Sequence, residues 1–394
     1  MKNETDRVTE GNPGRAPKES RIPRNRFDRM EWAGAFGDLG TLIPFVTAYI
    51  AVLRMDPLGV LFAFGAALIA CGWFYRTPVP VQPMKAIGAA AATQVAQLSM
   101  AQGPVMAAGL LTGAFWFLAS MSGLAGRVAR WVPRELAQCI VLSLGLRFMF
   151  DGARMMHSDW LLAGVGLLLA VGLRKSRTLP AMFALLVLGI GYSLVKDASL
   201  AAELKQISVR FRLPQWQSPG LSWNDVLVGA IYLALPQIPL TLGNAIIGTR
   251  EESNRLFPDR PLTLKRLSVS TGLMNLFSAG MGGVPMCHGA GGIAAHTAFG
   301  ARTGGASIIL GTVLIVLALC FSDSVELLLR ALPAAVVGVI LFVAGALLAR
   351  GSLPSPRMTR RMLVVLLVVC IASWNAGAAF VIGWLLFQWE KRRC

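Results

Sequence analysis

The sequence predicts an all-α polytopic membrane protein of 14 spans, two of them interrupted half-helix spans, in a 7+7 inverted repeat. Two observations lead there. Of 394 residues, 55% are hydrophobic and 14% charged, with a mean hydropathy of +0.60, where an average soluble domain is roughly 25% charged. A soluble globule cannot hide that much apolar surface. The net charge of +17, moreover, falls in short bursts between long apolar runs. That is the pattern of positive-inside loops in a lipid bilayer, not the one-sided footprint of a nucleic-acid binder, so no nucleic-acid partner is expected. Disordered chains and disulfide-stapled secreted modules are excluded by the same composition.

Residues 1–30 form a polar tail with eight cations and no apolar stretch, so no cleavable signal peptide is expected. Apolar runs follow at about 32–53, 57–75, 86–126, 135–150, 160–173, 179–195, 223–249, 267–301, 303–322, 331–349 and 362–389. A span needs ~20 residues. The run 86–126 is too long for one helix and divides at Gly103-Pro104; 267–301 breaks at Gly282-Gly283-Val284-Pro285, and the last divides near Trp374-Asn375-Ala376-Gly377. The expected domains are a cytoplasmic tail (1–30), a first set of seven spans (31–196), an extracytoplasmic linker (197–222), a second set of seven (223–390) and a cytoplasmic end (391–394). With both termini inside, 28 of the 37 Lys and Arg lie on the cytoplasmic side and 8 outside, Lys85 standing apart. This bias predicts cytoplasmic termini in a cell (inner or plasma) membrane.

An internal echo sharpens the repeat. Residues 79–93 read VPVQPMKAIGAAAAT and 281–295 read MGGVPMCHGAGGIAA, so Pro83-Met84 matches Pro285-Met286 at an offset of 202. Each copy sets an extended proline-containing stretch before a helix of small residues. Interrupted segments at corresponding positions of two halves point to a secondary-transporter site; ordinary proline kinks are the alternative. A helix N-terminus carries roughly half a positive charge and binds anions. Two of them plus the Lys85 ammonium suit a small dianion. The first-turn N–H groups of Lys85, Ala86, His288, Gly289 and Ala290 are the expected donors, with Gly289, Gly291 and Gly292 allowing close backbone approach.

An ammonium at the bilayer centre costs on the order of 3 kcal/mol and needs a task or a partner. For Lys85 the task is anion attraction; the partner would be Asp38, in GAFGDLGTLIP. Gly37, Gly40 and Pro44 are expected to unwind the first span there. Asp38 could balance Lys85 in the empty state or carry a coupling proton, and Thr41 could donate a hydroxyl. The eighth span, LALPQIPLTLGNAIIGTRE, is expected to be broken by Pro236 and Pro239. Its Gln237, Thr241 and Asn244 either donate to an oxyanion or join helices, and Gln82 has the same standing. His288 could donate or titrate, whereas His296 reads as a packed helix histidine. Three adjacent residues, Met286, Cys287 and His288, cannot face one ion, and no CxxC, zincin or Ser-His-Asp pattern occurs. No metal, no cofactor and no enzyme activity are therefore expected.

With FGDLGTLIP (36–44), PVPVQPMKAI (78–87), LPQIPLTLGNAI (235–246), PMCHGAGG (285–292) and FGARTGG (299–305), the chain resembles the molybdate-transporter branch of the sulfate permease (SulP) superfamily. The resemblance implies a core domain of spans 1–4 and 8–11 and a gate domain of spans 5–7 and 12–14. It also implies elevator-like transport of molybdate, with sulfate or tungstate as further substrates, and a homodimer through the gate. The C-terminal regulatory domain of most sulfate permeases is expected to be absent. Other readings are a sulfate or small-anion permease or a passive anion channel. A nucleobase permease is disfavoured, because Gln237 and His288 stand where carboxylates would be used.

Overall fold

The computed structural model describes residues 24–88, 102–130, 134–174, 176, 178–216 and 220–351, with 367–368, 371 and 382–386. Most of the expected N-terminal tail and of the last two expected spans, the latter part of the half-helix after Pro83 and the expected cytoplasmic end lie outside the described residues.

Helices account for nearly every apolar run. The first is α1 (Arg29–Val52), opened by Asp28, whose carboxylate accepts the N–H groups of Met30 and Glu31. Next is α2 (Pro57–Tyr75), with Asp56 as its cap and Pro57 in the first turn, where a missing N–H costs nothing. After the strand β1 (Gln82–Pro83), residues 85–88 form the opening turn of α3. Then come α4 (Gln102–Met121), α5 (Leu124–Arg130), α6 (Arg134–Met156), α7 (Trp160–Gly172), α8 (Ala181–Lys196) and α9 (Ala198–Lys205). The second half holds α10 (Trp223–Leu256), α11 (Leu264–Gly280), β2 (Met286–Cys287), α12 (Ala290–Ala298), α13 (Gly305–Phe321), α14 (Val325–Arg330) and α15 (Ala334–Gly351). Among the described residues six helices are long and apolar enough to cross a membrane, or seven if α8 and α9, bent by 103°, count as one.

Three long pairings build the body: α2 along α13, α4 along α11, and α6 along α15. Small residues let the backbones meet. A Cβ on Gly65 would lie 2.7 Å from the Gly311 carbonyl oxygen, and one on Gly152 2.7 Å from that of Gly338. Such close contact is how helices associate where lipid removes the hydrophobic drive. The buried Glu31 ties α1 to the start of α13: its carboxylate accepts the N–H groups of Arg302 and Thr303, both at 2.9 Å, and of Ala306 at 3.2 Å.

Two expectations need correction. The first span is not unwound at Asp38; it tightens to a 3-10 turn at Phe36–Asp38 and widens to a π turn at Ala48–Val52. The eighth span is not broken by its prolines either. α10 runs continuously for 34 residues, with π stretches at Gly229–Ala234 and Thr241–Gly248 flanking Pro236 and Pro239. Re-registered turns absorb the missing N–H groups, as neighbouring residues in membrane helices can. The 197–222 connection contains α9 and then a strap that docks onto both sides of the fold. The Arg210 and Arg212 N–H groups donate to Cys320 and Leu319, and the Arg212 guanidinium pairs with Asp56 at 2.7 Å and Asp323 at 3.1 Å. Nearby, the Tyr192 hydroxyl and then the Leu162 N–H and Lys196 hold the Asp159 carboxyl down at about 2.

Candidate functional site

The two interruptions meet. β1 and β2 pair antiparallel, Gln82 opposite Cys287 and Pro83 opposite Met286, a two-residue ladder among described elements that are otherwise helical. The Met84 N–H donates to the Pro285 carbonyl at 2.9 Å. Extended backbone in a membrane body must be satisfied internally, and buried side chains complete that task. Asn275 grips Met286 twice, accepting its N–H (2.9 Å) and donating to its carbonyl (2.6 Å). Ser278 donates to Val284 O, and Ser307 to Val79 O.

α3 and α12 start from this ladder. Gly289 is the N-cap of α12 and supplies no side-chain hydrogen bond. At the start of α3, the Ala86 N–H donates to Gln237 Oε1 at 2.9 Å, and Gln237 Nε2 donates to Thr241 at 3.0 Å. Gln82 Nε2 donates to Asp38 Oδ1 at 2.6 Å and lies 2.9 Å from the Thr41 hydroxyl; Thr41 also donates to Asp38. Asp38, Thr41, Gln82, Gln237 and Asn244 are all at most 5% exposed. Seven of the ten residues predicted for the site (Gln82, Lys85, Ala86, Gln237, Asn244, Gly289 and Ala290) thus gather at the two helix openings or on α10 beside them, with Asp38 and Thr41 joined through Gln82.

Three polar atoms in this cluster are buried with no hydrogen-bond partner among the described residues: Lys85 Nζ, Gln82 Oε1 and Asn244 Oδ1. Lys85 makes no ion pair with Asp38 or any other described carboxylate; its ammonium lies 4.5 Å from the centre of the Phe148 ring. Gln82 Oε1 faces Gly289, where any Cβ would collide with it, and Asn244 Nδ2 would stand 3.9 Å from that same Cβ.

His288 is corrected. Its ring is fully buried, with Nε2 2.7 Å from the Ser270 hydroxyl and Nδ1 2.9 Å from Pro80 O, so no ring nitrogen is left for a ligand. It braces the ladder instead. His296 packs as expected, Nδ1 2.8 Å from Gly34 O. Tyr49 carries no signal in the sequence; its hydroxyl is buried without a partner among the described residues and would lie 3.2 Å from a Cβ on Gly88. Phe148 carries none either. Only polar Asn275, inside an apolar run, could have been flagged.

The fold and these two strand-to-helix crossovers define a multi-pass helical membrane protein. It shares its fold with murine Slc26a9, an anion transporter captured in the inward-facing state (TM-score 0.62, 12% identity, 98% of this chain and 77% of that one). It also shares it with the transmembrane domain of the cyanobacterial bicarbonate transporter BicA (TM-score 0.55, 18% identity, 91% and 98%). The chain belongs to the family described as "Molybdate transporter of MFS superfamily", which matches residues 30–148 and 229–348. Molybdate transporter 2 of Arabidopsis thaliana is 30% identical over 402 residues, covering 90% of this chain and 84% of that protein.

Proposed function

We propose that the protein is a secondary active transporter that takes up molybdate, with sulfate or tungstate as competing oxyanions, at the meeting point of α3 and α12. The observation that carries this is Lys85: a buried ammonium with no described carboxylate partner, where two helices begin. An uncompensated charge in such surroundings is expensive unless an opposite charge visits it. A tetrahedral dianion fits that role, with the open first turn of α12 on its other side. The Asn244 amide can turn its NH₂ group to it, while Gln82 stays fixed by Asp38 and Thr41. Asp38, held by Thr41 and Gln82, is the group placed to balance charge or carry a coupling proton.

We infer further that the two halves are inverted repeats. The offset of 202 that equates Pro83 with Pro285 turns the Pro83–Met286 pairing into Pro285–Met84, as a two-fold exchange requires. The α2–α13 and α4–α11 packings are likewise exchanged by it, and the family match falls in two blocks, one per half. On this reading a core carrying α3 and α12 moves elevator-like against a gate built from α6–α8 and α15. Both termini would then be cytoplasmic in the cell membrane, and the gate would offer a dimer surface.

Uptake of labelled molybdate into proteoliposomes, competed with sulfate and tungstate, tests the assignment. Saturable uptake suppressed by tungstate is expected; no saturable uptake of any of the three would end it.

A further inference from the structure

Phe148 lies in the middle of α6, 5% exposed, and touches both helix openings. The Lys85 ammonium sits 4.5 Å from its ring centroid, well inside the roughly 6 Å over which a cation is attracted to an aromatic face. The edge of the same ring fills the space beside Gly291 in the first turn of α12, where any Cβ would collide with it (2.8 Å from Cζ). Its position is fixed from behind, because Phe148 Cβ would stand 2.7 Å from a Cβ on Gly345 of α15. The acidic groups nearby are committed elsewhere: Asp38 to Thr41 and Gln82, and Asp151 to Arg147 at 2.8 Å. Among the described residues, the ring is what the ammonium has.

We propose that Phe148 is the resting place of the Lys85 ammonium, a neutral stand-in that the oxyanion must displace, and therefore a residue that sets apparent affinity. This rests on the transporter reading above. The chemistry favours a ring over a carboxylate in this position. A carboxylate would hold the ammonium firmly and repel an incoming dianion, whereas a quadrupole supplies weaker attraction without a net charge. A protein whose binding-competent form is only partly populated shows reduced apparent affinity by that fraction. The Lys85–Phe148 contact imposes such a reduction, and weakening it tightens binding without any new contact to the ligand.

The test is a series of phenylalanines at position 148 carrying one, two and three ring fluorines. These nearly preserve shape while stripping negative charge from the ring face. Molybdate affinity of the purified full chain is then measured by isothermal titration. The expected result is stepwise tightening, reaching about tenfold for the trifluorinated ring, the size of effect that follows from losing a desolvated cation–π contact. Phe148→Leu should tighten binding in the same direction. A flat series, or one that weakens stepwise, overturns the proposal while molybdate binding that still requires Lys85 leaves the transporter reading standing. If the unmodified protein binds no molybdate, both fall together.

Discussion

At the first crossover, Gln82 and Pro83 lead into Lys85 and Ala86, whose side chain and N–H are respectively a buried ammonium and a donor already taken by Gln237. At the second, Met286 and Cys287 lead into Gly289 and Ala290, with no side chain capping the helix and with His288 turned away to Ser270 and Pro80. The backbones run alike and the side chains differ. One half brings charge, and the other brings bare amides at close range. On the proposed inverted-repeat reading, the frame is kept because both crossovers must satisfy the same extended backbone inside a membrane. Nothing demands that both supply the same chemistry, so each side is free to specialise.

The largest expected effect comes from cancelling the charged side. Lys85→Ala should weaken molybdate binding by about 100-fold, in line with truncating one partner of a buried charge pair. The thermal midpoint should hardly move, because the unliganded protein loses only the contact with Phe148. Proteoliposome uptake and a melting curve together check this. Wild-type affinity would remove Lys85 from the site and dissolve the contrast between the crossovers.

On the bare side, Gly289→Ala should cost about tenfold in affinity. The added methyl runs into Gln82 Oε1, and Gln82 cannot retreat while Asp38 and Thr41 hold its amide. Overpacking of this kind typically costs 1–3 kcal/mol. Ala86→Gly, a change in the opening turn of α3, should alter affinity less than threefold, since its N–H keeps its Gln237 partner. Equal effects from the two variants would mean that the crossovers do not divide the work.

His288→Phe separates scaffold from site. The ring nitrogens bond to Ser270 and Pro80; Ser270 keeps Leu267 and Tyr75 as partners, but the buried Pro80 carbonyl is left unsatisfied, at about 1–3 kcal/mol. The expected outcome is a lowered thermal midpoint with KM for molybdate within twofold. A KM change larger than tenfold with unaltered melting would return His288 to the ligand.

Much of this frame was legible from residue order. Pro83 and Pro285, each before a run of small residues, announce interruptions because a helix cannot continue through an X-Pro boundary without losing a hydrogen bond. The apolar runs placed the helices to within a few residues. Partnerships across the fold were not legible. Ala86 and Gln237 lie 151 positions apart, and His288 and Pro80 lie 208 apart; no local pattern encodes such meetings. Phe148 read as one more apolar residue of the 135–150 run, since a ring's quadrupole leaves no mark on hydropathy. The prolines of α10 misled for a different reason. Whether a proline breaks a membrane helix depends on whether adjoining turns can re-register, and that is a property of the packed neighbours.

The smallest expected effect probes the cap on the charged side. Gln237→Leu removes the acceptor from the Ala86 N–H and leaves that donor at a helix start beside Lys85. A net hydrogen bond is worth about 1 kcal/mol, so a shift of roughly fivefold in affinity is expected by that measure. Its direction discriminates. Weaker binding means that Gln237 serves by holding α3 in place. Tighter binding means that the freed N–H joins the bare amides of α12 on the oxyanion, which would make the first crossover more like the second. Gln237→Glu supplies the control: it keeps an acceptor for Ala86 but adds a negative charge facing the ligand, and should weaken binding more than Gln237→Leu does. Should the carboxylate variant bind as well as the wild type, the anion is not held near the opening of α3, and the charged side of the comparison loses its meaning.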